Sequence, residues 1–408
     1  MTGPLIYPFK ALRPTRESCQ QVVAPPYDVI NESEARQIFE DNRDSFISVS
    51  RPEVTFENKV NPYLKKVYEK GRSNLERLIL ENKLIKEQKE SFYIYQISHL
   101  DHVQNGFGVV GSIKGYIQNK IRKHELTRPE KELDRVNNID HLNAQTGPVL
   151  GVFKDDAILE EITKQTINNS APDLECRGPN NTHHKIWILS EESMVQRIYD
   201  QFLNHKAIYI ADGHHRSAAA ARVFELRNHQ GVDNFLMVIF PESEMKIFDY
   251  NRVIHLDHEF NLTSILEKLN KSYEIIHIKE GIKPNEPYML GLFAENQWYQ
   301  LNLKNSFALP NDPVKLLDVS ILQSQILSPL FGVEDPRTDN RLNFVGGVRG
   351  IKGVEDYTNS KPNGIGFTLF PTSMRQLMDV ADAELLMPPK STWFEPKLVD
   401  GLLTNTLD

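Results

Sequence analysis

The sequence predicts a mixed α/β (α+β) fold, and three observations carry that reading. A strand-like KAIYIAD stretch (206–212) turns through GHHR into an Ala-rich helix, and the buried-strand pattern FLMVIFP (235–241) follows at once. Strand, helix and strand in succession are the unit from which α/β sheets are built. Strand and helix patterns go on alternating to residue 383, and 408 residues exceed what one hydrophobic core usually supports.

Taken in order, the first segment is broken by Pro4, Pro8, Pro14, Pro25 and Pro26, so it reads as loop and extended chain. Asn31 or Ser33 can cap a short helix over 34–39, where early acidic residues suit the helix dipole. The clearest early helix covers 62–86, with Tyr63, Val67, Leu75, Leu78, Ile79 and Ile85 spaced by threes and fours. FYIYQIS (92–98) and FGVVGSIKGYI (107–117) read as a hairpin of strands.

The stretch 120–135 is charged in both signs, and an apolar rhythm resumes at Val136, Ile139 and Leu142. Strands are expected at 147–153 and 184–190, joined by a polar, exposed connector over 168–182. After the 206–212 strand, alanines place a helix over 217–229, since Ala is the strongest helix former. The remainder predicts helices at 262–269, 314–326 and 373–383, and strands at 288–294, 298–303, 343–348 and 365–370.

Lys plus Arg number 47 against 55 Asp plus Glu, a net charge of −8, which removes a broad basic footprint for duplex nucleic acid. Two cysteines, Cys19 and Cys176, cannot build a disulfide framework or a four-sulfur zinc site. The N-terminus lacks a basic segment followed by an apolar run, and no run of about 18 apolar residues occurs. A cytoplasmic protein with no nucleic-acid or membrane partner is therefore expected.

The chemistry concentrates at Asp212-Gly213-His214-His215-Arg216, at the carboxyl end of a strand and the amino end of a helix, where α/β proteins hold ligands. Helix N–H groups beginning near Ser217 and the helix dipole favour an anion, Gly213 lets backbone approach it, and Arg216 offers a fork suited to phosphate. His214 and His215 can donate hydrogen bonds or exchange protons near neutral pH. The bland alternative is a capping Asp212 and histidines satisfying nearby carbonyls.

A second constellation holds Lys123, His124, Glu125, Thr127, Arg128, Glu132, Asp134 and Arg135. A solvated charged face is its default reading. Folded against the Asp212 corner, the carboxylate beside the histidine can hold Mg²⁺ or accept a proton from a hydroxyl. His183 and His184 open a strand, so they point to opposite faces and read as structural. FVGGVRG (344–350) lacks the Lys-Ser/Thr of a P-loop, and in MPPKSTWFEPK (387–397) Lys390 can reach a phosphate.

PFKALRP, APPYDVI, SFISVSRPE, KHELTRPEKELDR, LNAQTGPVLGVF, YIADGHHRSAAAA and MPPKSTWFEPKLVDGLL occur in this order from about residue 7 to 403. Together they resemble the domain-of-unknown-function 1015 family, and the DGHHR corner is similar to that of free serine kinases of the ParB and sulfiredoxin superfamily. The resemblance implies a ParB/sulfiredoxin-like core over 90–255, an N-terminal loop and helical region over 1–89, and a C-terminal α/β region over 256–408 that closes the site.

It also implies phosphoryl transfer between a nucleotide, ATP or ADP with Mg²⁺, and a small hydroxyl substrate, L-serine or O-phospho-L-serine, in either direction. On that reading Gly213 and the following backbone hold phosphates, Arg216 stabilises the transferring charge, and His214 or His215 contacts phosphate. Glu125 is the general base, with Asp212 as second candidate or Mg²⁺ partner; Lys123, His124, Thr127, Arg128, Arg135, Ser217 and Lys390 complete the ligand set. A homo-oligomer is compatible with it. A nucleotide-gated regulator of the ParB type is the alternative, although the charge and the lack of a helix-turn-helix pattern speak against a DNA-binding version. A metal-dependent hydrolase using His214, His215 and carboxylates comes third, because adjacent histidines on a turn rarely share one ion.

Overall fold

The computed structural model describes residues 3–407 and shows a mixed α+β protein. It comprises two compact units, one of residues 1–245 with 396–408 and one of residues 246–395. These units do not follow the expected three-way division. The N-terminal segment shares a unit with the large sheet because Ile6 and Tyr7 pair with Gly111 and Val110, and Phe9 bridges Ser91.

The first unit is built on a nine-stranded mixed sheet. Its strands are β1 (Ile6–Tyr7), β2 (Phe92–His99), β3 (His102–Ser112), β4 (Ile121–Arg122), β5 (Val149–Phe153), β6 (Leu174–Arg177), β7 (His183–Leu189), β8 (Ile208–Asp212) and β9 (Asn234–Pro241). The spatial order is β4-β8-β5-β9-β3-β2-β7-β6, with β1 pairing onto β3. Only β4 with β8 and β5 with β9 run parallel. The β2–β3 hairpin turns at Leu100 and Asp101, with Leu100 at φ 55°, and the predicted strand past residue 112 is instead a helix, Ile113–Ile117, capped by the Ser112 hydroxyl.

Two further predictions are corrected here. Strands β8 and β9, read as one strand-helix-strand unit, are not neighbours: β5 lies between them, antiparallel to β8 and parallel to β9. The connector over 168–182 is not all exposed chain. A helix fills Ala157–Asn169, capped by Asp156, and β6 follows with Leu174 and Cys176 turned inward. Two short apolar contacts per turn or strand are too few to stand out as a periodic pattern.

Helices α1 (Glu32–Asp41), α2 (Lys65–Leu80), α3 (Pro129–Leu142) and α4 (His214–Leu226) bear on the site. The first is capped by Asn31, one of the two expected residues, in a capping box with Glu34. Ala219 and Ala220 of α4 are buried, and their small size brings α4 close to α3 and to the β5–β9 face. Phe92, Phe107, Trp187, Ile210, Phe224 and Phe235 are among the residues of the main core, and burying each contributes on the order of 1.5–3 kcal/mol. The last residues return to this unit: Ala24 bridges Asp400, Leu12 bridges Thr404, and Asn405–Thr406 pairs with Ala144–Gln145.

The second unit holds a six-stranded antiparallel sheet made of Tyr250–His255, Tyr273–Ile278, Met289–Ala294, Gln297–Leu303, Leu342–Gly346 and Gly364–Leu369. Four of these strands and the helices Leu262–Leu269 and Met374–Asp382 fall within a few residues of the predicted ranges, whereas the strands Tyr250–His255 and Tyr273–Ile278 were not predicted. The 314–326 helix is broken into Asp318–Leu322 and a π-turn, Gln323–Leu327. FVGGVRG forms the end of a strand and a single 3₁₀ turn, Gly347–Arg349. Among the described residues, no helix is long and apolar enough to cross a membrane.

Candidate active site

The corner begins where β8 ends at Asp212. Gly213 is the N-cap of α4 at φ 96°, a conformation that side chains rarely adopt, and a Cβ there would stand 2.9 Å from Arg216 Nε. The helix therefore starts at His214, not near Ser217 as predicted, so both histidines and Arg216 belong to its first turn. Its first internal bonds run from the Arg216 and Ser217 amides to the Gly213 carbonyl at 2.9 and 3.0 Å. The amides of His214 and His215 precede them and face outward along the helix axis, the arrangement that attracts anions.

Segment 120–128 folds against this turn. The His124 amide approaches His214 Nε2 at 3.5 Å, and the two imidazoles meet edge to face with ring centres 4.5 Å apart. The Arg128 amide donates to His215 Nε2 at 2.9 Å. Ligand-type atoms of His124, Glu125 and His214 all lie within 4.8 Å of one another. The structure thus brings together His124, Glu125, Arg128, His214 and His215, which are separated by some 90 residues of sequence.

Charge is arranged with care at this corner. Burial pushes His124 down to about 4, and burial with the neighbouring His124 pushes His214 well below the usual imidazole value. Burial, and the Arg128 guanidinium after it, lower His215 as well. All three imidazoles are consequently neutral at pH 7 and offer lone pairs. For Asp212, burial works upward, but Lys397 and Arg216 outweigh it and hold the carboxyl well below the ordinary range. Lys397 donates to Asp212 Oδ2 at 3.1 Å, and Asp212 Oδ1 accepts the Gly213 amide at 2.8 Å. A carboxylate held ionised so firmly is a poor proton acceptor.

The other expected ligand residues are dispersed. Arg216 turns inward, donates to the Pro148 carbonyl, and with Arg135, Tyr27 and Asn138 lines a narrow, partly open pocket of about 20 Å³, room for about one water. Arg135 stacks 3.9 Å above the Tyr27 ring and pairs with Asp134 at 2.7 Å. Ser217 is buried and donates its hydroxyl to the His214 carbonyl. Thr127 donates to Glu132 at the start of α3, and Lys123 lies exposed with its ammonium 5.5 Å from the Tyr116 ring centre. Lys390 belongs to the second unit, where its carbonyl accepts from Arg252 and its ammonium sits 5.7 Å from the Tyr250 ring centre. His184 is structural: it is buried between the Tyr95 and Thr182 hydroxyls, each at 2.8 Å.

Sequence reasoning about single residues passed over Tyr27, Lys397 and Asp400. Asp400 accepts the Tyr27 amide at 3.2 Å, and burial pushes its carboxyl up to about 7. All three lie inside APPYDVI or MPPKSTWFEPKLVDGLL, so those strings were the signal that could have found them.

Fold and corner together define an α/β protein whose ligand-type groups gather at a helix N-terminus beside a strand end. Residues 6–320 match the family described as protein of unknown function DUF1015, and the chain belongs to that family. No curated protein matches. Among solved structures it is similar to SbnI with C-terminal truncation from Staphylococcus aureus, at 11% identity and TM-score 0.39 over 73% of this chain and 86% of that one. It is also similar to a mutant free serine kinase in complex with ADP, at 14% identity and TM-score 0.34 over 74% and 93%. A conserved hypothetical protein from Pyrococcus furiosus is similar at 13% identity and TM-score 0.33 over 74% and 97%.

Proposed function

We propose that the protein is a phosphotransferase that uses ATP or ADP and acts on a small hydroxyl substrate, L-serine or O-phospho-L-serine. The observation that supports this most is the packing of segment 123–128 onto the first turn of α4, which sets Glu125 beside an anion-favouring helix end. The resemblance of the DGHHR corner to free serine kinases points to the same chemistry.

In this reading the amides of His214 and His215 hold phosphate oxygens at the positive end of the helix dipole, while the Gly213 amide stays with Asp212. Glu125 takes the proton of the serine hydroxyl as its oxygen bonds to the terminal phosphorus, and the nucleoside phosphate leaves with the electron pair of the broken P–O bond. Positioning and charge stabilisation carry most of such a reaction. Mg²⁺ bound with the nucleotide would supply the positive charge that neutralises the phosphates.

The test is turnover by the full chain. L-serine with ATP or ADP and Mg²⁺, and phosphoserine with ADP, are incubated with the protein and phosphoserine is followed. The expected result is phosphoserine made or consumed, and a loss of at least about 10²-fold on Glu125→Gln, as for removal of a positioned general base. Folded protein with no turnover in any combination would overturn the reading.

A further inference from the structure

The His124, Glu125 and His214 side chains form a cluster that the phosphotransfer scheme uses only in part. Their ligand-type atoms lie within 4.8 Å of one another, and His124 and His214 are buried while Glu125 is half-buried. His124 is 2% exposed, and its Nδ1 is buried without a hydrogen-bond partner. A buried polar nitrogen left without a partner is rare in folded proteins and calls for a group that satisfies it.

We propose that His124, Glu125 and His214 bind a divalent transition-metal ion of the zinc or cobalt type. Two imidazole nitrogens and one carboxylate oxygen suit such borderline ions, whereas Mg²⁺ takes oxygen ligands almost exclusively. Ligands bonded at about 2.1 Å stand roughly 3.4 Å apart around a tetrahedral ion, so small side-chain rotations close the present cluster onto one. Three protein donors leave a coordination position open, as in catalytic rather than structural sites.

The arrangement differs from the expectation of a site shared by adjacent histidines. His214 meets His124 from another element, and His215 is turned toward the Arg128 amide. Two histidines from different elements converge without the distortion that neighbouring ones would need. The inference goes beyond phosphotransfer and does not depend on it: a carboxylate bound through one oxygen keeps the other for a proton.

The experiment uses tag-free full-length protein stripped by a chelator and titrated with Co²⁺, read by its visible ligand-field absorption, without serine or nucleotide. One equivalent is expected to bind, to be displaced by Zn²⁺, and to resist millimolar Mg²⁺. His214→Ala should weaken Co²⁺ binding by more than the about 10–100-fold that loss of an outer-shell partner costs. The half-exposed Glu125→Gln serves if that variant fails to fold, and His215→Ala should retain the metal. Less than stoichiometric Co²⁺, full displacement by Mg²⁺, or unchanged affinity in a folded His214→Ala or Glu125→Gln variant would overturn the proposal. Because no turnover is measured, its failure is separable from that of the phosphotransfer reading.

Discussion

Asp400 shows how strongly the fold decides the charge of one residue. Its carboxyl is 1% exposed, accepts the Tyr27 amide, and is pushed up to about 7 by burial, against an ordinary aspartate value near 3.9. Arg216 and Arg135 pull the other way and do not outweigh burial. Between pH of about 4 and about 7 the folded state holds more protons than the unfolded state at this group, so its contribution to stability falls as pH rises through that window. Asp400→Asn removes the titration. In thermal unfolding from pH 5 to pH 8, the variant should gain relative to the parent as pH rises; a constant difference would show that Asp400 is ionised throughout.

The helix α4 and the turn before it carry the site, and they were the most legible part of the sequence. KAIYIAD read as a strand because its apolar run is short and ends at Gly213, and the alanines announced the helix. The helix began three residues earlier than predicted because Gly213 takes the left-handed cap itself, which lets two histidines, poor helix formers, enter the first turn. Gly213→Ala should cost about 1–3 kcal/mol for the strained backbone, and its Cβ also meets the Arg216 guanidinium. The expectation is a lower melting temperature together with loss of ligand binding; unchanged stability and binding would show that the turn tolerates an ordinary residue.

At the scale of the whole molecule, what sequence could not show is contact across long separations. Lys397 reaches Asp212 across 185 residues, and Asn405–Thr406 pairs with Ala144–Gln145. Neither pairing leaves a local pattern, so the three expected regions missed that residues 396–408 belong to the unit of the large sheet. Lys390, in the same string as Lys397, belongs to the second unit. Leu398, Val399, Leu402 and Leu403 are buried, at on the order of 1.5–3 kcal/mol each. Ending the chain after residue 395 should therefore destabilise the first unit by several kcal/mol and lower its unfolding midpoint. An unaltered midpoint would mean that the returning segment adds nothing to that unit.

The central claim is that segment 123–128 and the 212–216 turn form one ligand site. Hydrogen exchange of the full chain, with and without saturating ADP and phosphoserine, tests it most directly. Slower exchange is predicted in peptides covering both stretches, the amides of His214, His215 and Arg128 among them. Protection confined to other parts of the chain, with ligand bound, would contradict it.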